Sequence, residues 1–186
     1  LVPSISSSKA IGNMETVKNR ISFSLLVSIL IGMPCMIAMI IFAKPILELL
    51  FPNATSGAFI YQISCLSIIF IVIEQIISGA LHGLGKVLAP AMALSVGVVI
   101  KFILNLYLIP IDTKDFFLGG TAGAAISTVI CHMIAVIIEL KILNKNIDLK
   151  LDKKKFVFKP MLASIIMSVF AYTFYLVMIT RINDKI

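Results

Sequence analysis

The stretch LAPAMALSVGVVIKFILNLYLIPI, residues 88 to 111, is almost unbroken apolar sequence carrying a single charge, Lys101. A helix rises about 1.5 Å per residue, so roughly 20 such residues cross the hydrocarbon core of a bilayer, about 30 Å thick. Four further runs reach that length: 21 to 43, 58 to 81, 118 to 143 and 158 to 180. The whole chain is 60% hydrophobic and 13% charged, with a mean hydropathy of +1.08; soluble domains hold about 45 to 50% apolar residues. The pattern predicts an all-α integral membrane protein with about five transmembrane helices. Barrels need short segments of alternating polarity, and none is present.

Outward from these runs the connections are short and rich in helix breakers: Lys44-Pro45 with FPNATSG, then HGLGK, then PIDTKD before Gly119-Gly120, and finally the basic NKNIDLKLDKKK. Residues 8 to 20, SKAIGNMETVKNR, predict a short amphipathic surface helix. The expected organisation is a cytoplasmic lead-in over 1–20, four spans of one lobe over 21–143, a basic cytoplasmic loop over 144–157, and a further span with an external tail over 158–186. The opening residues lack the order of a signal peptide, and the chain is expected to be part of a longer one.

The net charge is +7. Most lysines sit beside apolar runs, where membrane lipids and topology account for them, so a nucleic-acid partner is not indicated. Cations gather at the start of the chain, at HGLGK and at NKNIDLKLDKKK; Lys44, Lys114, Arg181 and Lys185 fall on the other side. Cations are retained in the cytoplasm, so the first group is expected inside and RINDKI outside. Multi-pass placement in a bacterial cytoplasmic membrane follows from this bias and the resemblance given below.

Polar groups within the spans need an account, because a charge at mid-bilayer costs about 2.5 to 3.5 kcal/mol on insertion scales. Lys101 lies near the middle of its run, and a spacing of four puts it on one face with Gly97 and Asn105. It either meets an anionic substrate, such as a phosphate, or makes an internal ion pair. Glu74 and Gln75 lie in the run before it, where Ser64, Ser67, Ile71, Glu74 and Ser78 follow a helical rhythm expected to face the bundle. Glu74 is a candidate for carrying a coupling proton or sodium ion. His132 shares a face with Thr128, Ala135 and Glu139, and is either a proton carrier or a hydrogen-bonded packing residue. Glu139 is close enough to the cytoplasmic end to reach headgroups.

Other features concern packing. Gly119, Gly123 and Ser127 form a small-residue seam at spacings of four that lets helices approach closely. Pro34 is expected to kink the first span. SGALHGLGKVLAP, residues 78 to 90, invites a nucleotide reading, but a Walker loop needs glycine at Ala80 and a hydroxyl at Val87, and a dinucleotide loop needs glycine at Leu88. Gly79, Gly83 and Gly85 are instead expected to shape a tight turn, with Pro90 in the first turn of the next helix. Cys35, Cys65 and Cys131 lack metal or disulfide spacing. No catalytic constellation is present, so neither an enzyme nor a cofactor or metal is indicated.

LVPSIS at 1–6, GN at 12–13, NRI at 19–21, IGMP at 31–34, KPILELLF at 44–51, SGALHGLGK at 78–86, NLYLIP at 105–110 and GTAGAAIST at 120–128, taken in order, resemble the C-terminal half of polysaccharide-biosynthesis flippases. More narrowly they resemble the stage V sporulation protein B branch, related to lipid II flippases and to multidrug and toxin extrusion transporters. The resemblance implies two lobes of six helices, often extended to fourteen spans, that open alternately to each membrane face. The helices here would be spans nine to thirteen, and the N-terminal lobe would be the missing partner. It also implies movement of lipid-linked oligosaccharide or peptidoglycan precursor, driven by an ion gradient or the membrane potential. On that reading Lys101, Asn105, Glu74 and Gln75 line the cavity and meet the lipid-linked glycan, with Glu74 and His132 as ion-coupling candidates. Cation-coupled multidrug efflux and a non-transporting scaffold or truncated lobe are the alternatives.

Overall fold

A computed structural model describes residues 1–111, 119–147 and 158–183, and these are helical with no strand among them. The helices are α1 (Val2–Ala10), α2 (Met14–Ile41), α3 (Ala43–Leu50), α4 (Ala58–Cys65), α5 (Ser67–Gly83), α6 (Leu88–Leu108), α7 (Gly120–Asn146) and α8 (Lys159–Asn183); a 3₁₀ turn at Pro52–Gly57 precedes α4. Among the described residues four stretches are long and apolar enough to cross a membrane: Met14–Ile41, Thr55–Gly83, Leu88–Leu108 and Gly120–Asn146. The fifth expected span is α8, whose apolar portion Pro160–Tyr175 is shorter. Most of the PIDTKD turn, the basic loop beyond Ile147 and residues 184–186 lie outside the described residues.

The lead-in over residues 8–20, expected as one helix, is divided between two. α1 ends in a pair of backbone bonds, Gly12 N–H to the Lys9 carbonyl and Asn13 N–H to the Ser8 carbonyl, closed by Gly12 at φ +76°. Only a residue without a Cβ enters that left-handed region freely, and this bond pattern is a standard helix stop. Asn13 then caps α2 by accepting from the Thr16 N–H at 3.0 Å, so Met14–Arg20 become the first turns of the first span rather than a surface helix. α1 turns back along α2, where Arg20 donates to the Ser4 carbonyl at 2.9 Å and to the Ser4 hydroxyl.

α2 runs unbroken through Pro34 and stops at Phe42. Pro45, in the first turn of α3, has no N–H to offer the carbonyl four residues back, so the ladder cannot continue across this point. Gln62 of α4 satisfies one of the orphaned carbonyls, donating to Ile40 at 3.0 Å. The second span is also interrupted, at Leu66, where the Ser67 hydroxyl bonds the Ser64 carbonyl at 2.6 Å. Serine back-bonding of this kind bends helices. The break rotates Ser64 to an exposed position while Ser67 and Glu74 stay buried, so the expected polar stripe holds only from Ser67 onward.

Among the described residues two apolar clusters form. At the end that carries the Gly85 turn, Ile5, Val17, Ile21, Leu25, Ile77 and Leu81 pack with Val136 and Leu143. Toward the opposite end, Ile63 packs with Ala122 and Ala125. Between them α6 lies along α7 at very short range. A Cβ on Gly97 would stand 2.6 Å from the Cys131 carbonyl oxygen. In lipid, where no hydrophobic force drives helices together, such close backbone approach is a main source of association.

Candidate functional site

The polar groups of the spans meet on α7. From α5, Glu74 is 8% exposed, and its Oε2 lies 2.7 Å from Nδ1 of His132, whose ring N–H donates to the carboxylate. The two ion-coupling candidates, assigned on separate grounds from the sequence, therefore form one pair. Four residues further along α5, the Ser78 hydroxyl donates to Glu139 Oε1 at 2.8 Å. α5 and α7 run parallel, so the two contacts are successive rungs of a ladder that climbs from mid-span toward the Gly85 turn. Helical spacing explains the register: Glu74 and Ser78 lie one turn apart, His132 and Glu139 two turns apart.

Glu139 is a correction to the sequence reading. It was expected to reach lipid headgroups, yet it is fully buried, 0% exposed, between Val136 and Leu143. The helix face it shares with His132 is turned to α5 and the apolar cluster, leaving no route for the side chain to extend outward.

From α6, the Gly97, Lys101 and Asn105 stripe is turned to α7. Gly97 abuts Cys131, and Asn105 Oδ1 lies 2.5 Å from the Ser127 hydroxyl, which also lies 2.9 Å from the Ala124 carbonyl. Lys101, between them, is partly buried and within electrostatic reach of Cys131. Among the described residues its ammonium makes no ion pair; the acid of the neighbouring span pairs with His132 instead.

Of the four residues expected to line one cavity, the structure groups some and separates others. Glu74 is buried against α7, Asn105 is engaged by Ser127, Lys101 is partly buried, and Gln75 lies on the exposed surface of α5. Sequence reasoning missed the Ser78–Glu139 and Ser127–Asn105 contacts. The signal was present, since all four side chains lie on helix faces already marked by spacing; what was lacking was the pairing of those faces. Among the described residues no group of three His, Cys, Asp or Glu converges as a metal site.

The turn that ends α5 is a second organised feature. Gly85 N–H bonds the His82 carbonyl at 2.9 Å and Lys86 N–H bonds that of Leu81 at 2.9 Å, with Gly85 at φ +80°. Lys9 of α1 donates to the Leu84 carbonyl at 2.6 Å, placing a cation at the negative end of the α5 dipole. Gly83 does not shape the turn as expected. It lies within α5, and a Cβ there would stand 2.8 Å from the Ile5 Cβ, so glycine makes room for α1.

Comparison with known proteins agrees with this architecture. The chain is 29% identical over 164 residues to the "uncharacterized membrane protein YabM" of Bacillus subtilis (strain 168), an alignment that covers 88% of this chain and 29% of that relative. The chain thus spans less than a third of the length of the relative it matches. No solved structure matches it. The MatE family profile matches residues 2–107, more than half of the chain, and with four membrane-length apolar helices this makes it a multi-pass membrane protein. The chain belongs to the MatE family.

Proposed function

We infer that the chain is part of the C-terminal lobe of a secondary transporter that works by alternating access, with Glu74 and His132 as its ion-coupling pair. Its cargo is a lipid-linked oligosaccharide or peptidoglycan precursor, flipped across the cytoplasmic membrane during polysaccharide or cell-wall assembly, as in the sporulation branch named above. The observation that carries the coupling role is the 2.7 Å contact between Glu74 and His132 inside membrane-length helices. A carboxylate and an imidazole in contact can exchange and hold a proton, and ionisable groups within a bilayer are costly, hence rare, and mark proton and ion pathways. The cargo assignment draws on the ordered motifs and on Lys101, a partly buried cation with no ion pair among the described residues, suited to an anionic pyrophosphate. The N-terminal lobe completes the cavity.

The acid Glu74 within the second span favours one competing cargo, a cationic drug, because a carboxylate in a membrane attracts positive charge. The test is transport by the full-length protein in proteoliposomes under an imposed pH gradient. A fluorescent pyrophosphate-linked lipid is expected to move, with gradient-driven movement lost in Glu74→Gln and His132→Gln. Retained coupling in both variants would remove the pair from the mechanism, and gradient-driven uptake of a lipophilic cation without lipid movement would establish efflux instead.

A further inference from the structure

The Glu74–His132 pair leaves one buried acid unexplained. Glu139 lies two helical turns along α7 from His132, about 10 Å at 1.5 Å per residue. It is 0% exposed and enclosed by the cluster that includes Ile77, Leu81, Val136 and Leu143. Ser78 satisfies Oε1 at 2.8 Å, but among the described residues Oε2 is buried with no hydrogen-bond partner at all. An ionised carboxylate in such surroundings lacks both solvent and counter-charge, and burying one costs far more than burying a neutral group.

Among the described residues the polar groups near Glu139 are few. From α5 they are the Ser78 hydroxyl and, one turn away, Glu74, which pairs with His132; His82 is exposed. α1 and α2 present Ile5, Val17, Ile21 and Leu25 to the same cluster. The charged residues of those elements, Lys9, Glu15, Lys18 and Arg20, are exposed or half-exposed, as are Lys141 and Lys145 of α7. Among the described residues no cation pairs with the carboxylate. A metal ion needs several oxygen ligands, whereas this site offers one free carboxylate oxygen and one hydroxyl already donating.

We propose that Glu139 and Ser78 form a second proton-binding station, in series with Glu74–His132 along the α5–α7 seam and nearer the end expected to face the cytoplasm. A proton bound on Oε2 neutralises the carboxyl, while the Ser78 hydroxyl holds Oε1. Loading takes one proton from a hydronium ion and leaves water; unloading is the reverse and requires the apolar cluster to part. The separation from His132 exceeds one hydrogen bond, so transfer between the stations passes through water admitted when the seam opens. The station rests on the proton-coupled reading for its part in a cycle, though not for its existence.

Infrared difference spectroscopy across a pH titration of the full-length protein in lipid nanodiscs tests this. The wild type is expected to show the C=O stretch of a protonated carboxyl at neutral pH. Glu139→Gln should abolish that band, Glu74→Gln should retain it, and Ser78→Ala should shift it to higher frequency as one hydrogen bond is lost. If Glu139→Gln does not fold, the Ser78→Ala shift still decides. A band that survives Glu139→Gln or ignores Ser78→Ala would overturn the station, as would Glu139 carboxylate bands that respond to exchanging choline for sodium. If the band belongs to Glu139 but a pH gradient drives no transport, the coupling reading fails and the station stands. A driven transporter whose band persists in Glu139→Gln has the opposite outcome.

Discussion

Gly97 and Cys131 are in backbone contact: a Cβ on Gly97 would lie 2.6 Å from the Cys131 carbonyl oxygen and 3.1 Å from its sulfur. The obstacle is main chain within α7 and cannot rotate away. Gly97→Ala is therefore expected to separate α6 from α7 and lower stability by about 1 to 3 kcal/mol, the usual cost of overpacking. Thermal unfolding in detergent measures it, and an unchanged midpoint would mean the helices are not this close. Separating them also loosens the Asn105–Ser127 contact, which lies on the same seam.

The Glu74–His132 contact predicts energetic coupling. Glu74→Gln and His132→Gln each remove one partner from the 2.7 Å pair, and the double variant should cost less than the sum of the two. For residues in direct contact the non-additivity is about 0.5 to 3 kcal/mol. Additive losses within error would show that the two side chains act separately.

Gly83 and Gly85 are two residues apart, yet their substitutions should fail differently. Gly85→Ala forces a Cβ into φ +80° and should cost about 1 to 2 kcal/mol through backbone strain. Gly83→Val meets Ile5 and the Val2 carbonyl instead, so α1 should lift away and become sensitive to protease while the turn survives. Lys9→Ala, which removes the 2.6 Å bond to the Leu84 carbonyl, should loosen α1 more mildly. Identical protease patterns for Gly83→Val and Gly85→Ala would contradict this division.

Lys101→Ala is expected to slow flipping of a pyrophosphate-linked lipid by the full-length protein about tenfold or more, because a charge-assisted hydrogen bond is worth about 1.5 to 3 kcal/mol. Lys101→Arg should restore most of the rate. Unaltered flipping in Lys101→Ala would leave the lysine a packing role beside Cys131.

Much was legible from sequence because lipid imposes a severe rule: a spanning segment must be long, apolar and hydrogen-bonded within itself. The spans, the Gly85 turn and the inward face of α6 follow from run length, breakers and spacing. Boundaries were less legible where local chemistry overrides hydropathy. Asn13 starts α2 well before the apolar run begins, and the serine bonds around Leu66 turn Ser64 outward.

Partnership between helices lay beyond the sequence. Spacing placed Glu74 and Ser78 on one stripe and His132 and Glu139 on another, but periodicity states only which residues share a face of their own helix. Whether α5 would set that face against α7, and at what height, depends on how the glycine contacts and apolar clusters seat the helices in three dimensions. The tertiary structure alone therefore decided that Glu74 meets His132 rather than Lys101, and that Glu139 is enclosed with Ser78 instead of reaching the membrane surface.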